Sequence, residues 1–169
     1  MNRSLKLALI GASAIAAMSM PGVASAQEIS SVAEGIHVIQ GRGGNIGVSV
    51  GADGVFMIDD QFAPATQAIL DQIKTVSDQP VRFLLNTHFH RDHTGGNENL
   101  GNAGVLIFAH DNVRARLLAG DAPKAALPVV TFNDATTFHM NGQTVRVFHT
   151  SNAHTDGDAM IHFQEADVI

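Results

Sequence analysis

The stretch of sequence that decides the fold is Thr87-His88-Phe89-His90-Arg91-Asp92-His93-Thr94-Gly95-Gly96-Asn97. It carries three imidazoles and one carboxylate within six residues, so a single loop can turn all four groups toward one point. Nitrogen and oxygen donors of this kind suit Zn²⁺ and, less exclusively, iron or manganese. A chance cluster of surface histidines is the alternative, but it does not explain why four ligand types fall at these offsets together. The stretch therefore predicts a metal site.

The third ligand of such a site has to come from elsewhere in the chain. His88 and His90 follow a predicted strand, residues 81–85, and side chains two apart in extended backbone project to the same face. A third neutral donor would complete a facial set and leave the fourth tetrahedral position open, as in catalytic zinc sites. His154, in a loop after another predicted strand, is the best candidate, and His149 is its only serious competitor.

A second stretch strengthens this interpretation, Ala153-His154-Thr155-Asp156-Gly157-Asp158. Together the two stretches resemble the metal-binding signature of the metallo-β-lactamase superfamily. The resemblance covers residues 28–169 and implies an α/β fold, an αββα sandwich of mixed β-sheets flanked by helices. Superfamily members are usually longer, so the chain resembles their N-terminal portion. A natural terminus at Ile169 is the alternative to a truncation there.

The resemblance also implies a role for each site residue. It assigns His88, His90 and His154 to a first metal. It assigns Asp92 and His93 to a second metal, as in the subclass whose second site uses only oxygen and nitrogen donors. On the same grounds Asp92 is expected to orient the nucleophile and to help protonate the leaving group.

Other expected parts of the site are less complete. Asp59, at the end of an apolar strand, resembles an early aspartate that supports the metal ligands from outside, although a plain turn residue is the alternative. The bridging acidic residue and the late histidine of the second site have no matched position before Ile169. We expect two Zn²⁺ in the intact protein. For the chain by itself, weak binding of one metal, loss of turnover and failure to fold all stay open.

The activity implied by the resemblance is that of a zinc-dependent hydrolase, in which zinc-bound hydroxide cleaves a lactam, lactone, ester or thioester. One alternative is a mononuclear iron dioxygenase of sulfur compounds that uses the same first three histidines. The other is a non-catalytic metal-binding protein. The substrate is expected to be a small molecule, but the signature does not choose among substrates, because fold and function are not tied.

The first 26 residues predict a signal peptide. Arg3 and Lys6 form a basic start, and the apolar run 7–20 is shorter than the ~20 residues of a spanning helix. Ala24-Ser25-Ala26 offers a small-residue cleavage site before Gln27. We expect a mature domain of residues 27–169 in the bacterial periplasm or medium, without stable membrane association. An uncleaved anchor is the alternative.

Composition narrows the choice of partners. The net charge of −6 becomes −8 on cleavage, because two basic residues and no acidic ones are lost. The absence of a basic patch argues against nucleic acid as a partner. The chain has no cysteine, which excludes disulfides and thiolate ligands. Nothing in the sequence predicts the oligomeric state.

Hydrophobic periodicity predicts alternating strands and helices. Strands are predicted at residues 35–40, 46–50, 55–58, 81–85, 105–109, 136–140, 144–149 and 159–163, with a further strand beginning at 166–169. Helices are predicted at residues 63–76 and 112–119. The turn signals at 41–45 and Asn141-Gly142 predict hairpins, and residues 123–128 predict a linker. Asp60, after the third strand, is expected to be solvated.

Overall fold

The computed structural model describes residues 28–169. The predicted signal peptide, residues 1–26, lies outside the described residues. Within the described part, no helix is long and apolar enough to cross a membrane.

The larger sheet has seven strands, which lie side by side in the order of the sequence. They are β1 (Ile29–Ala33), β2 (Ile36–Ile39), β3 (Ile46–Ser49), β4 (Val55–Ile58), β5 (Val81–Leu85), β6 (Leu106–His110) and β7 (Val130–Phe132). The first four form an antiparallel meander. From β4 to β7 the strands are parallel, so the carboxyl ends of β4, β5 and β6 meet at one edge of the sheet.

A smaller antiparallel sheet contains β8 (Ala135–Met140), β9 (Gln143–His149) and β10 (Ala159–Phe163), in the order β10-β9-β8. Asn141 and Gly142 join β8 to β9, with φ angles of 53° and 72°. Both angles are positive, as a tight turn compatible with strand twist requires. The hairpin predicted at this dipeptide is confirmed.

Four α-helices and two 3₁₀ turns complete the described chain. The helices are α1 (Thr66–Lys74), α2 (Arg91–Thr94), α3 (Asn97–Asn102) and α4 (Asp111–Ala119), and the 3₁₀ turns are Ala63–Ala65 and Lys124–Ala126. Ile69 and Ile73 of α1 are buried against one face of the larger sheet, together with Leu100 of α3. This packing forms the first of two apolar cores.

The second core lies between the two sheets. Phe56 on β4 is fully buried there, and its ring centroid lies 5.0 Å from that of Phe138 on the smaller sheet. The rings of Phe83 and Phe108 pack on the same cluster. Helices, larger sheet and smaller sheet therefore form successive layers. The predicted α/β sandwich is confirmed within residues 28–169: the larger sheet is mixed, and the smaller sheet is antiparallel.

Four parts of the chain differ from the sequence-based expectation. β1 was not predicted, and β7 lies just beyond the predicted linker. They are the two edge strands of the larger sheet, and each pairs with a single neighbour. Helix α2 lies within the stretch 87–97, and α3 begins at its last residue, Asn97, where glycines and polar residues gave no helical periodicity. Residues 164–167 form a turn before a single bridge from Phe163 to Val168, rather than the beginning of a full strand.

Candidate metal centre

Three of the predicted ligands lie together at the carboxyl edge of the larger sheet. One ligand atom of each of His88, His90 and His154 lies within 4.8 Å of the other two. The Nδ1 atom of His90 and the Nε2 atom of His154 are 3.0 Å apart. Ligand atoms around a tetrahedral zinc are about 3.3 Å apart, given Zn–N bonds of ~2.0–2.1 Å. The donor set and its spacing therefore fit a Zn²⁺ ion.

The competitor for the third position does not join this group. The Nδ1 atom of His149 lies 2.8 Å from the carbonyl oxygen of Asp158 and therefore donates to it. The ring of His149 also stacks on that of His110, with centroids 4.1 Å apart. These contacts direct His149 away from the cluster and leave His154 as the third imidazole.

A hydrogen-bond relay sets the orientation of His88, which is buried. The hydroxyl of Thr87 donates to Oδ2 of Asp59 at 2.7 Å, so it can only accept from Nδ1 of His88, 3.0 Å away. This arrangement places the ring proton of His88 on Nδ1 and leaves Nε2 free. Burial, and next the neighbouring His93, lowers the pKa of His88. The neutral imidazole is the form that binds a metal.

Asp59 is the point where this network converges. The residue is 3% exposed, and its carboxylate accepts from the Thr87 amide, the Thr87 hydroxyl and Nδ1 of His93, each at 2.7 Å. Its φ angle is 61°, a strained conformation of the kind that clusters at functional sites. Asp59 thus lies where the resemblance expects a carboxylate that supports the ligands.

Asp92 and His93 lie on α2, directly beside the three histidines. The ring centroid of His93 is 4.1 Å from that of His88, and its Nε2 atom is 3.6 Å from Oδ2 of Asp92. The hydrogen bond to Asp59 raises the pKa of His93 and holds its proton on Nδ1, so Nε2 faces Asp92. Within residues 28–169, however, the only set of three or more ligands that close together is the histidine triad. The second metal stays a prediction.

The glycine-rich turn 41–45 packs against the pair on α2. A Cβ atom on Gly43 would lie 2.8 Å from Oδ2 of Asp92, and one on Gly44 would overlap the ring of His93. The side-chain amide of Gln61 donates to the carbonyl of Gly44 and holds the turn in place. The two glycines are therefore what lets the turn approach the candidate second site.

Asp60 corrects an expectation, because it is buried rather than solvated. It is 1% exposed; Oδ1 accepts from the Gly96 amide at 2.9 Å, and Oδ2 has no partner among the described residues. Burial raises the pKa of Asp60 well above its usual range. Asp60 is buried because the segment after β4 packs against the histidine motif, where the Asp60 amide donates to the carbonyl of His93.

His110, at the end of β6, is buried and 3% exposed. Its Nδ1 atom accepts from the Asn112 amide at 3.1 Å and so caps the first turn of α4. Burial, and next the stacked His149, lowers the pKa of His110. The residue supports α4 and the fold around the site rather than binding the metal.

This burial predicts an acid sensitivity. A pKa held below the usual 6.5 means that the folded protein binds fewer protons than the unfolded chain, so the stability is present above pH 6.5 and is lost as the pH falls below it. His110→Asn keeps an N-cap acceptor but cannot titrate, so we expect a shallower decline in the free energy of unfolding. Urea denaturation at a series of pH values, with EDTA present, measures how the free energy of unfolding changes with pH. The exposed His139→Asn is the matched control, and an unchanged slope in His110→Asn would contradict the prediction.

Several contributors gave no recognisable signal in the sequence. Thr87 relays Asp59 to His88, but a threonine before a histidine has no distinctive pattern. Asn86 and Asn97 exchange a pair of buried side-chain hydrogen bonds of 3.0 and 2.9 Å that tie α3 to the end of β5. Only the proximity of Asn97 to the motif could have pointed to it.

The match to a family model decides the relationship. The model of the metallo-beta-lactamase superfamily matches residues 39–169, which is most of the chain. The chain belongs to the metallo-β-lactamase superfamily. This confirms the resemblance seen in the two sequence stretches, and it supports a metal-dependent hydrolase as the kind of protein.

Solved structures of superfamily members share the fold. A metallo-beta-lactamase from Pontibacter korlensis is 23% identical, with a TM-score of 0.71 over 82% of this chain and 67% of that chain. DIM-1 metallo-beta-lactamase is 19% identical, with a TM-score of 0.70 over 82% and 65%. Metallo-beta-lactamase IND-7 is 20% identical, with a TM-score of 0.71 over 82% and 66%. The matched part thus spans about two thirds of these superfamily chains.

Proposed function

We propose that the chain is a metal-dependent hydrolase that cleaves a lactam, lactone, ester or thioester in a small-molecule substrate. The observation that carries the proposal is the convergence of His88, His90 and His154 on one point. Three protein nitrogens leave a fourth tetrahedral position for water or substrate, which is what separates a catalytic zinc site from a closed structural one. His154 is exposed whereas His88 is buried, so the cluster opens toward solvent on one side.

The residues of the site have complementary roles in this proposal. His88, His90 and His154 would hold the metal. When bound, Zn²⁺ acidifies water and polarises a carbonyl oxygen. Asp59 and Thr87 keep the ring proton of His88 on the nitrogen that faces away from the metal. Asp92 is half-buried beside the cluster, 3.6 Å from His93, and its carboxylate would take up and return a proton during cleavage.

Two further parts of the proposal concern a second metal and export. We propose that Asp92 and His93 contribute to a second metal site, with ligands other than the histidine triad. We also propose export to the periplasm or medium, on the strength of the signal-like sequence of residues 1–26.

Removing the carboxylate of Asp92 tests the catalytic part. We expect Asp92→Ala to lower kcat by about 100-fold or more, because positioned acid–base groups contribute that much. Zn²⁺ bound by the triad should remain. Turnover of a chromogenic β-lactam, a lactone, an ester and a thioester is measured beside metal content, with EDTA removal and Zn²⁺ restoration. The control is Asp71→Ala, which removes an exposed carboxylate on α1 bonded to Gln67.

Each outcome of this experiment distinguishes the proposed hydrolase from one of its alternatives. Turnover that is lost on chelation, restored by Zn²⁺ and dependent on Asp92 supports the hydrolase. Iron in place of zinc in the purified protein would favour the sulfur-compound dioxygenase. Zn²⁺ binding without turnover of any substrate class would indicate a metal-binding protein without this activity.

A further inference from the structure

The histidine triad is assembled from two segments that are distant in sequence. His88 and His90 lie in the loop after β5, whereas His154 lies 64 residues after His90. Residues 150–158 contain no helix or strand, and His154 is exposed. Backbone hydrogen bonds hold only the ends of this loop: the Ala159 amide donates to the Thr87 carbonyl at 2.9 Å, and the Thr150 amide donates to the Asp158 carbonyl at 3.0 Å. The position of His154 within the loop therefore depends on side-chain contacts as well.

One side chain of α4 contacts both segments. The guanidinium of Arg116 makes a two-pronged ion pair with Asp156, with its terminal nitrogen 2.7 Å and its Nε 3.2 Å from Oδ2. Its Cζ atom also lies 5.9 Å from the ring centroid of Phe89, a cation–π contact. Phe89 separates the two histidines of the first segment, and Asp156 is two residues after His154. Arg116 thus joins the two halves of the triad.

Two other contacts of α4 reinforce the same loop. The side-chain amide of Asn112 donates to the carbonyl of Asp156 at 2.6 Å. Gly157 lies so close to the helix that a Cβ atom there would be 2.9 Å from Cγ2 of Val113. The loop therefore rests along one side of α4, with Arg116 at the end that reaches Phe89.

The geometry points to Arg116 as a positioning residue for the metal site, which sets the spacing of His154 from His88 and His90 and thereby the affinity for Zn²⁺. The planar guanidinium suits this task because it can stack on a ring and pair with a carboxylate at once. The inference rests on the metal site of the proposed function but not on the reaction proposed there.

This role separates from a general contribution to stability. Both partners of the ion pair are largely exposed, with side chains 56% and 43% accessible. Exposed pairs contribute little to the free energy of unfolding. Loss of the pair should therefore change metal affinity while leaving the metal-free fold almost as stable as before.

The test measures Zn²⁺ affinity by competition with a chromophoric chelator, in the full chain, for Arg116→Ala, Arg116→Lys, Asp156→Asn and the double variant Arg116→Ala/Asp156→Asn. Arg114→Ala is the matched control, because Arg114 lies on the same helix but bonds the carbonyl of Pro128. We expect Arg116→Ala to weaken Zn²⁺ binding about tenfold, the lower end of the range for groups that support metal ligands. Arg116→Lys should restore part of this affinity, and Arg114→Ala should bind as the wild type does.

Two further readouts distinguish positioning from stability. The Co²⁺ absorption spectrum should change in Arg116→Ala, since it reports ligand geometry, and urea unfolding with EDTA should give the same midpoint as for Arg114→Ala. The double variant should bind no more weakly than the weaker of the two single variants, because both remove one interaction.

If Arg116→Ala and Arg116→Lys both bind Zn²⁺ with wild-type affinity, the role of Arg116 is overturned but the proposed function is not. An equal loss in Arg114→Ala, or additive losses in the double variant, would do the same. A wild-type chain that binds no Zn²⁺ would overturn both this inference and the proposed function.

Discussion

Replacing His154 by alanine is expected to remove Zn²⁺ binding at the triad, with an affinity loss of well over ~100-fold. Removing a group that only supports a metal ligand costs ~10–100-fold, so loss of one of three ligands should cost more. The two histidines that remain come from a single loop and cannot complete a facial set. Competition titration and the metal content of the purified protein measure the effect.

His149→Ala is the informative comparison, because it removes an imidazole from the strand that leads into the same loop. His149 donates to the Asp158 carbonyl and stacks on His110, so its loss should change stability more than metal affinity. Zn²⁺ binding that survives in His154→Ala but is lost in His149→Ala would show that the ligand assignment is wrong.

The second large effect is expected for Asp59→Asn. An amide nitrogen in place of Oδ2 would face the Thr87 hydroxyl and the protonated Nδ1 of His93, so that donors meet a donor. His93 can avoid the clash by moving its ring proton from Nδ1 to Nε2. The Thr87 hydroxyl can avoid it by giving up its hydrogen bond with Nδ1 of His88. The first change removes the Nε2 lone pair of His93 from the site, and the second no longer fixes the ring proton of His88 on Nδ1. We expect Zn²⁺ affinity to fall by about 10–100-fold and the free energy of unfolding by about 1–3 kcal/mol.

Chelator competition and urea denaturation measure these two quantities. Thr87→Val separates the two routes by which Asp59 acts. It removes the hydrogen bonds of the Thr87 hydroxyl to Asp59 and His88, and it leaves the hydrogen bond between Asp59 and His93 in place. Asp71→Asn, at an exposed position on α1, is the matched control. If Asp59→Asn binds Zn²⁺ with wild-type affinity, Asp59 is a plain turn residue and does not support the metal ligands.

The parts of the fold that could be predicted from sequence are those with strong local patterns. β4 is a continuous apolar run, β5 is apolar except for Arg82, and α1 has helical periodicity. The dipeptide Asn141-Gly142 favours positive φ angles, which few turn types accept. β7 could not be predicted, because three residues hold a strand only when β6 is beside them. Helices α2 and α3 are short and lie on either side of Gly95-Gly96, a pair of residues that opposes helix formation in isolation.

The site divides in the same way. The proximity of His88 and His90 is a local property, because both imidazoles belong to one short loop after β5. The backbone bends at residues 87–89 instead of staying extended, and both imidazoles still reach the same point. The sequence by itself therefore determined the kind of site and the superfamily.

Only the tertiary structure decided how the site is completed and held. It excluded His149 from the triad, buried Asp60, connected Asp59 to two histidines 29 and 34 residues away, and placed Arg116 between both ligand loops. These relations depend on which strand ends meet at the edge of the sheet and on which helix a loop rests against. They arise from packing between distant segments, and no short stretch of the chain encodes that packing.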